Sequence, residues 1–323
     1  MISRRIIRIK VLQVLYAYYT SPDKSINNTE KELFFSIQKT YDLYHYILQL
    51  PVEIADYAAS LIELRRKKHF PTEEDLNPNL RFVNNPVVQQ IRINKSLEKY
   101  LQQSKLGWSD EPELVKKLYN ALIETDFYAD YMAAEKTAYA DDRKLVELML
   151  GEVILQSDDV NLLLEEKSIY WNDDLDFVIS MVIKTIKKFK EYSGEDNALL
   201  PFFKDEEDRE FAKNLFRKSV LNHPELKKIV EQHTLNWDVE RIAFIDNMIL
   251  ELAIVEFLYF PSIPTKVTLN EYIELSKYYS TQKSRNFING ILDKSLKALK
   301  KEEKVIKTGR GLIGELNEEM NED

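Results

Sequence analysis

The sequence contains no cysteine, and only seven of its 323 residues are glycine. Without cysteine there can be no disulfide, no thiolate zinc site and no cysteine nucleophile, which fits a reducing, cytoplasmic setting. Three of the glycines (Gly309, Gly311, Gly314) fall in the last fifteen positions, leaving few for hairpin turns or phosphate-cradling loops elsewhere. There is no long uncharged apolar run either. The most apolar stretch, "RIAFIDNMILELAIVEFLYF", carries Asp246, Glu251 and Glu256, too many charges for an ordinary membrane span. The four histidines show no metal-ligand spacing. Asp42-x-x-His45 lacks the second acid-x-x-His that a di-iron site needs. The N-terminal apolar positions are interrupted by Arg8, Lys10 and Gln13 with no small-residue cleavage site after them, unlike a signal peptide. These absences lead to the expectation of a cytoplasmic chain with no membrane segment, no metal and no cofactor.

What remains is rich in helix formers. Hydrophobic residues make up 44% of the chain, and Leu, Lys, Glu, Ile and Ala dominate. The expected class is all-α. A first helix runs from Ser3 to about Tyr19, with Ile7, Val11, Val14 and Tyr18 as its buried stripe. After "TSPDKSINN" a second runs over about 29–68, with Pro51 as a kink. "HFPTEEDLNPNLRFVNNPVV" reads as a long loop, and helical patterning resumes over about 87–103 and again from Glu113. A further break covers about 192–208. A long helix over about 239–260 has Ile242, Ile245, Ile249 and Leu252 on one face and is stopped by "PSIP". Thr268 followed by Glu271 has the form of a capping box, and Ser284 is placed to cap the last helix. Gly290 inside that last helix costs about 1 kcal/mol relative to alanine and marks close approach of a neighbouring helix or a ligand. The end, "KTGRGLIGELNEEMNED", reads as a disordered acidic tail.

One repeat stands out. Residues 142–171 and 208–237 both begin with Asp-Arg and both end with Trp, at a constant offset of 66 residues.

The charge distribution poses a separate question. The chain carries net −9, yet its first twenty residues hold Arg4, Arg5, Arg8 and Lys10 and no acid. Arg4 and Arg5 fall in the first turn of the first helix, where the dipole is positive and each cation costs typically about 0.3–1 kcal/mol. An anion docked at that helix end would resolve the conflict through free amides and guanidinium forks. Arg4, Arg5 and Arg8 lie within about 100° of one another around the helix, whereas Lys10 points elsewhere. A second basic cluster, "RRKKH" (65–69), sits at a helix end where the dipole favours cations.

Several segments together carry a family likeness. "LAIVEF", "IPTKVTLNEYIELSK" and "RNFINGILDK", preceded by "NWDVERIAFID", resemble the C-terminal part of the NusB transcription antitermination factors. "RRIIRIKVLQVLY" is similar to that family's Arg-rich first helix, whose pattern ends in Gln-x-Leu-Tyr, here Gln13, Leu15 and Tyr16. The likeness covers about 3–19 and 208–300. It implies a helical bundle of NusB type that binds boxA-like RNA. The partner would be NusE (a small-subunit ribosomal protein in its antiterminator role), within an antitermination complex on RNA polymerase during ribosomal RNA transcription. No catalysis is implied. RNA contacts would fall to Arg4, Arg5, Arg8, Tyr16, Lys283, Ser284 and Arg285, and partner contacts to Glu256, Phe257 and Phe260. Three positions depart from the family pattern: Ile6 replaces a basic residue, Lys283 an acidic one, and Glu251 an arginine. The organisation expected is an RNA-binding first helix (1–20), an extra helical region (21–200, with the repeat in 142–190), the NusB-like domain (201–302) and the tail (303–323). Related helical domains occur fused to RNA cytosine methyltransferases, but the cofactor-binding sheet and catalytic cysteines those enzymes need are missing. The other alternative is a helical scaffold that binds proteins alone.

Overall fold

Ser3 opens the first helix, its hydroxyl accepting a hydrogen bond from the Ile6 amide at 3.4 Å. The computed structural model describes residues 2–22, 24–234 and 243–313. Among these residues there are fifteen α-helices and no strand. In chain order they are α1 (Arg4–Thr20), α2 (Ile26–Arg66), α3 (Glu73–Leu76), α4 (Pro86–Arg92), α5 (Lys95–Ser104), α6 (Pro112–Ile123), α7 (Asp126–Ala133), α8 (Tyr139–Leu148), α9 (Asp158–Lys167), α10 (Leu175–Ile186), α11 (Glu206–Leu221), α12 (His223–Thr234), α13 (Phe244–Tyr259), α14 (Thr265–Tyr279) and α15 (Gln282–Lys301). No helix among the described residues is long and apolar enough to cross a membrane. The helices form two compact units, one of Gln38–Phe202 and one of Ile2–Ile37 with the residues from Phe203 onward. The division falls inside α2, which continues through the buried Pro51.

The unit of residues 38–202 is built on aromatic packing. Tyr46 and Trp108 stack at 4.0 Å between ring centroids, with Trp171 next to Tyr46 at 5.5 Å. Each indole finds a backbone acceptor: Trp108 donates to the Tyr46 carbonyl at 2.9 Å and Trp171 to that of Lys39 at 2.7 Å. Burial therefore leaves neither N–H unpaired. The expected loop over 69–88 contains the short α3, and Asn85 opens α4 before its end by accepting from the Val87 and Val88 amides. After α8 the helix widens into π-helical turns over Met149–Ile154. Adding 66 to the span 139–154 gives 205–220, against α11 at 206–221; α9 shifted likewise gives 224–233, against α12 at 223–234. Asp142 and Asp208, paired by the repeat, are both buried. Trp237, the expected partner of Trp171, lies outside the described residues.

In the second unit α13 is the central helix. It packs against α1, α11, α12, α14 and α15, and every residue from Met248 to Phe257 is buried. A helix apolar on all sides belongs in a core. The apolar surface of this helix, Phe257 included, is thus covered by the chain itself.

Three boundaries differ from the sequence reading. α14 begins at Thr265 after Pro264, so Thr268 lies inside the helix and its hydroxyl donates to Glu256 at 2.8 Å instead of capping. α15 begins at Gln282 because Thr281, three residues before Ser284, supplies the cap by accepting from the Ser284 amide. The expected tail is ordered as far as it is described. Lys307 donates to the carbonyls of Glu256 and Phe260, the Thr308 amide donates to the Pro261 carbonyl, and a Cβ on Gly311 would overlap that same oxygen. Residues 314–323 lie outside the described set.

Gly290 is exposed on α15, and a Cβ built there meets nothing within 4 Å. Among the described residues no helix approaches it. Gly290→Ala is expected to raise stability by about 0.5–1 kcal/mol, since alanine restricts the unfolded chain and favours helix. Chemical denaturation of the two proteins checks this, and a loss of stability would show that the position is strained.

Candidate nucleic-acid interface

The arginines of α1 split into two groups once their partners are known. Arg8 points inward and is 2% exposed. Its Nε and Nη2 donate to the two carboxylate oxygens of Glu256 at 2.8 and 2.7 Å, a parallel two-bond pair. Glu256 is 0% exposed and also accepts from the Thr268 hydroxyl at 2.8 Å and the Tyr272 hydroxyl at 3.2 Å. The Arg8 guanidinium stands 5.3 Å above the Phe211 ring and 5.8 Å from that of Tyr272. Burial alone would weaken the Arg8 charge, but the facing carboxylate outweighs it and holds the guanidinium firmly protonated.

This geometry corrects three expectations. Arg8 does not present its charge to phosphate, because the charge is consumed 248 residues away in sequence by Glu256. Glu256 does not present its carboxylate to a partner, because all its strong acceptor directions are filled within the chain. Phe257 is wholly buried, and the half-buried Phe260 packs edge-to-face on Phe211 at 5.1 Å while Lys307 covers its carbonyl.

Arg4 and Arg5 also meet acids of their own chain. Arg4 Nε donates to Asp208 at 2.8 Å, with Glu207 at 3.5 Å from Nη2. Arg5 forms two bonds to Glu271, at 3.0 and 2.8 Å, and Arg8 Nη1 reaches the same carboxylate at 3.4 Å. Burial pushes the Glu271 carboxyl up, but the Arg5 hydrogen bonds and the charges of Arg8 and Arg5 prevail and hold it below the usual carboxylate range. The anions that settle the unfavourable dipole end of α1 are therefore Asp208 and Glu271. Both arginines keep part of their surface in solvent, so they remain within reach of a ligand, at the cost of competing with those acids. Lys10 is buried.

The other end of α1 is different. Tyr16 is 47% exposed and packs on Phe244, itself 45% exposed, with ring centroids 5.8 Å apart. Gln13 donates to the Tyr279 hydroxyl at 3.0 Å, and the Ser280 hydroxyl donates to Asp246. These contacts bring the aromatic end of α1, the start of α13 and the α14–α15 junction onto one face. Lys283 is exposed there, Ser284 is half-buried beside it, and neither Lys283 nor Arg285 has an acidic partner among the described residues. Arg285 Nε is buried with no hydrogen-bond partner. Exposed rings beside unpaired cations are what a single strand of nucleic acid needs, the rings for bases and the cations for phosphates. Phe244 was not singled out in the sequence; its position at the start of an all-apolar helix hid its exposure. Glu251, at the position where the family pattern has arginine, pairs with His223 Nδ1 at 2.7 Å, and burial pushes its carboxyl up despite that partner. No group of three or more potential metal ligands exists among the described residues.

Comparison with known proteins bears on what this face belongs to. The sequence pattern described as the NusB family matches residues 177–297. The "Transcription antitermination protein NusB" of Salinibacter ruber is 39% identical over 139 residues, 41% of this chain and 87% of the relative. The protein of the same name from Chloroherpeton thalassium is 37% identical over 105 residues, and the chain covers half of it. That of Oleidesulfovibrio alaskensis is 49% identical over 89 residues, 58% of its length. No solved structure matches the chain significantly. All three likenesses leave more than half of this chain unmatched, so an extra region accompanies the shared part. With 87% of one relative covered at 39% identity, the chain belongs to the NusB family.

Proposed function

We propose that this chain is a non-enzymatic transcription antitermination factor that binds boxA-like RNA together with NusE and supports ribosomal RNA transcription. The observation that carries the RNA reading is that Tyr16 and Phe244 expose packed rings, while Lys283 and Arg285, with no acidic partner among the described residues, open α15 just past the junction tied to the same helices. Ser284 adds a hydroxyl at the same junction. Arg4 and Arg5 serve as secondary phosphate contacts through their solvent-facing edges, and Arg8 acts only through the fold. Family membership supports NusE and the RNA polymerase antitermination complex as partners, because the relatives carry the name of transcription antitermination proteins. Glu256 and Phe257 have no part in the contact, being enclosed.

The test is a gel shift of the full chain with a boxA-like RNA, with and without purified NusE. The expected result is a shifted RNA band that tightens when NusE is added. NusE binding with no effect on RNA in either condition would replace this reading with a protein-binding scaffold.

A further inference from the structure

The end of α2 and the turn after it read Leu64-Arg65-Arg66-Lys67-Lys68-His69-Phe70, and all seven residues are exposed. Four consecutive cations are unusual in a chain of net charge −9. Two are neutralised locally: Arg66 Nη1 lies 3.0 Å from Glu63, and Lys68 Nζ lies 3.0 Å from Asp75. Arg65 and Lys67 have no acidic partner among the described residues. The negative end of the α2 dipole accounts for cations in its last turn, Arg65 and Arg66. It does not account for Lys67 and His69, which lie past the helix, nor for Phe70, whose ring is 92% exposed.

The turn is also held in place. The Thr72 hydroxyl accepts from the Asp75 amide at 3.2 Å, and the Asp75 carboxylate accepts from the Thr72 amide at 3.0 Å, a reciprocal cap on α3. Both oxygens of the same carboxylate also accept from Lys68 Nζ, tying the end of α2 to the start of α3. Arg65, Lys67 and Phe70 are thus displayed from a fixed turn. Glu73 and Glu74 begin α3, so the cationic side of the turn is the α2 side.

We infer that this turn is a second nucleic-acid site, outside residues 177–297 that match the family. It takes a single strand, with Arg65 and Lys67 on successive phosphates and the Phe70 ring against a base. A single-stranded nucleic acid offers both repeating negative charge and accessible π-faces, which matches unpaired cations beside an exposed ring. A duplex hides its base faces by stacking, so the ring would have no role there. Attachment to an anionic bilayer calls for a larger unpaired basic cluster than two residues. An acidic peptide would use the cations and leave Phe70 unexplained.

The experiment titrates the full chain into fluorescent oligouridylate and oligodeoxythymidylate of about 20 nucleotides, enough for a strand-tracking groove. It is done in the wild-type background and with Lys283→Gln and Arg285→Gln present. Arg65→Gln with Lys67→Gln is expected to weaken binding and flatten the log–log salt slope by up to about 1.4, about 0.7 per lost phosphate contact. Phe70→Ala is expected to weaken binding by about fivefold or more. Because all three side chains are exposed, the melting temperature should not move. Wild-type affinity and slope in both variants would overturn the site. So would binding to phosphatidylserine-containing vesicles, but not to oligonucleotides, that the same substitutions abolish. Loss of binding on changing Lys283 and Arg285 alone would sink this second site and spare the family face; loss on changing the α2 turn alone would do the reverse.

Discussion

Replacing Glu256 by alanine is expected to lower stability by about 3–5 kcal/mol, because it leaves the Arg8 guanidinium charged and buried with only its longer contact to Glu271, at 3.4 Å, in place of the two-bond pair. The Tyr272 and Thr268 hydroxyls lose an acceptor at the same time. Arg8→Met in combination with Glu256→Leu should be far milder than Glu256→Ala, since a pair replaced by apolar groups of similar volume removes the desolvation cost along with the attraction. Urea denaturation of the single and double variants measures the difference. A Glu256→Ala loss below about 1 kcal/mol would mean that the pair behaves as a solvated surface bridge, contrary to its burial. Any effect of Glu256 substitutions on partner binding should track the loss of fold, and a variant that binds poorly while melting normally would restore Glu256 to an interface.

A second large effect concerns acid sensitivity of the unit of residues 38–202. His45 is buried, stacks on Tyr100 at 3.6 Å, and its Nδ1 donates to the Tyr41 carbonyl at 2.9 Å. Burial pushes its pKa down from 6.5 to about 4, against the smaller opposing pull of the Tyr41 carbonyl and Asp42. The folded state therefore binds the proton less readily than the unfolded chain. Its contribution is fully present above 6.5 and is lost as the pH falls toward about 4. The integrated loss over that window is about 3 kcal/mol, of which about 2 kcal/mol has gone by about pH 5. His45→Phe keeps a ring against Tyr100 and removes the titration. Urea midpoints read by the fluorescence of Trp108 and Trp171, both in this unit, should fall between about pH 7.5 and about pH 5 by this amount less in the variant than in wild type. An unchanged pH dependence in the variant would show that another group titrates.

Local signals were readable where the cause is local. The start of the first helix at Ser3, the helical class and the stop at "PSIP" depend on residues within a few positions, and the structure has the same start and break. The family likeness was legible for a similar reason, since polar as well as apolar positions of the last three helices agree with its pattern. The orientation of Arg8 was not legible. Helical periodicity groups it with Arg4 and Arg5, and its counter-ion lies on a helix 248 positions further on. The apolar residues on every side of α13 carried the signal of a fully enclosed helix, yet the sequence was read as having one apolar face, and the family likeness implied a partner at Phe257 and Phe260. Thr268 had the spacing of a cap, but Pro264 begins the helix one turn earlier and frees the hydroxyl for Glu256.

RNA binding by this face is tested most directly by a fluorescence-anisotropy titration of boxA-like RNA at several salt concentrations. The titration compares wild type with Lys283→Gln/Arg285→Gln, with Tyr16→Ala, and with Arg4→Gln. The double variant is expected to bind weaker by about tenfold or more at low salt, with a log–log salt slope flatter by about 1.4. Tyr16→Ala should lose a stacking contribution of about 1–3 kcal/mol without changing the slope. Arg4→Gln should have the smallest effect, because Asp208 already holds that guanidinium. Equal affinity and equal slope for the double variant and wild type, with unchanged melting temperatures, would contradict the assignment of RNA binding to this face.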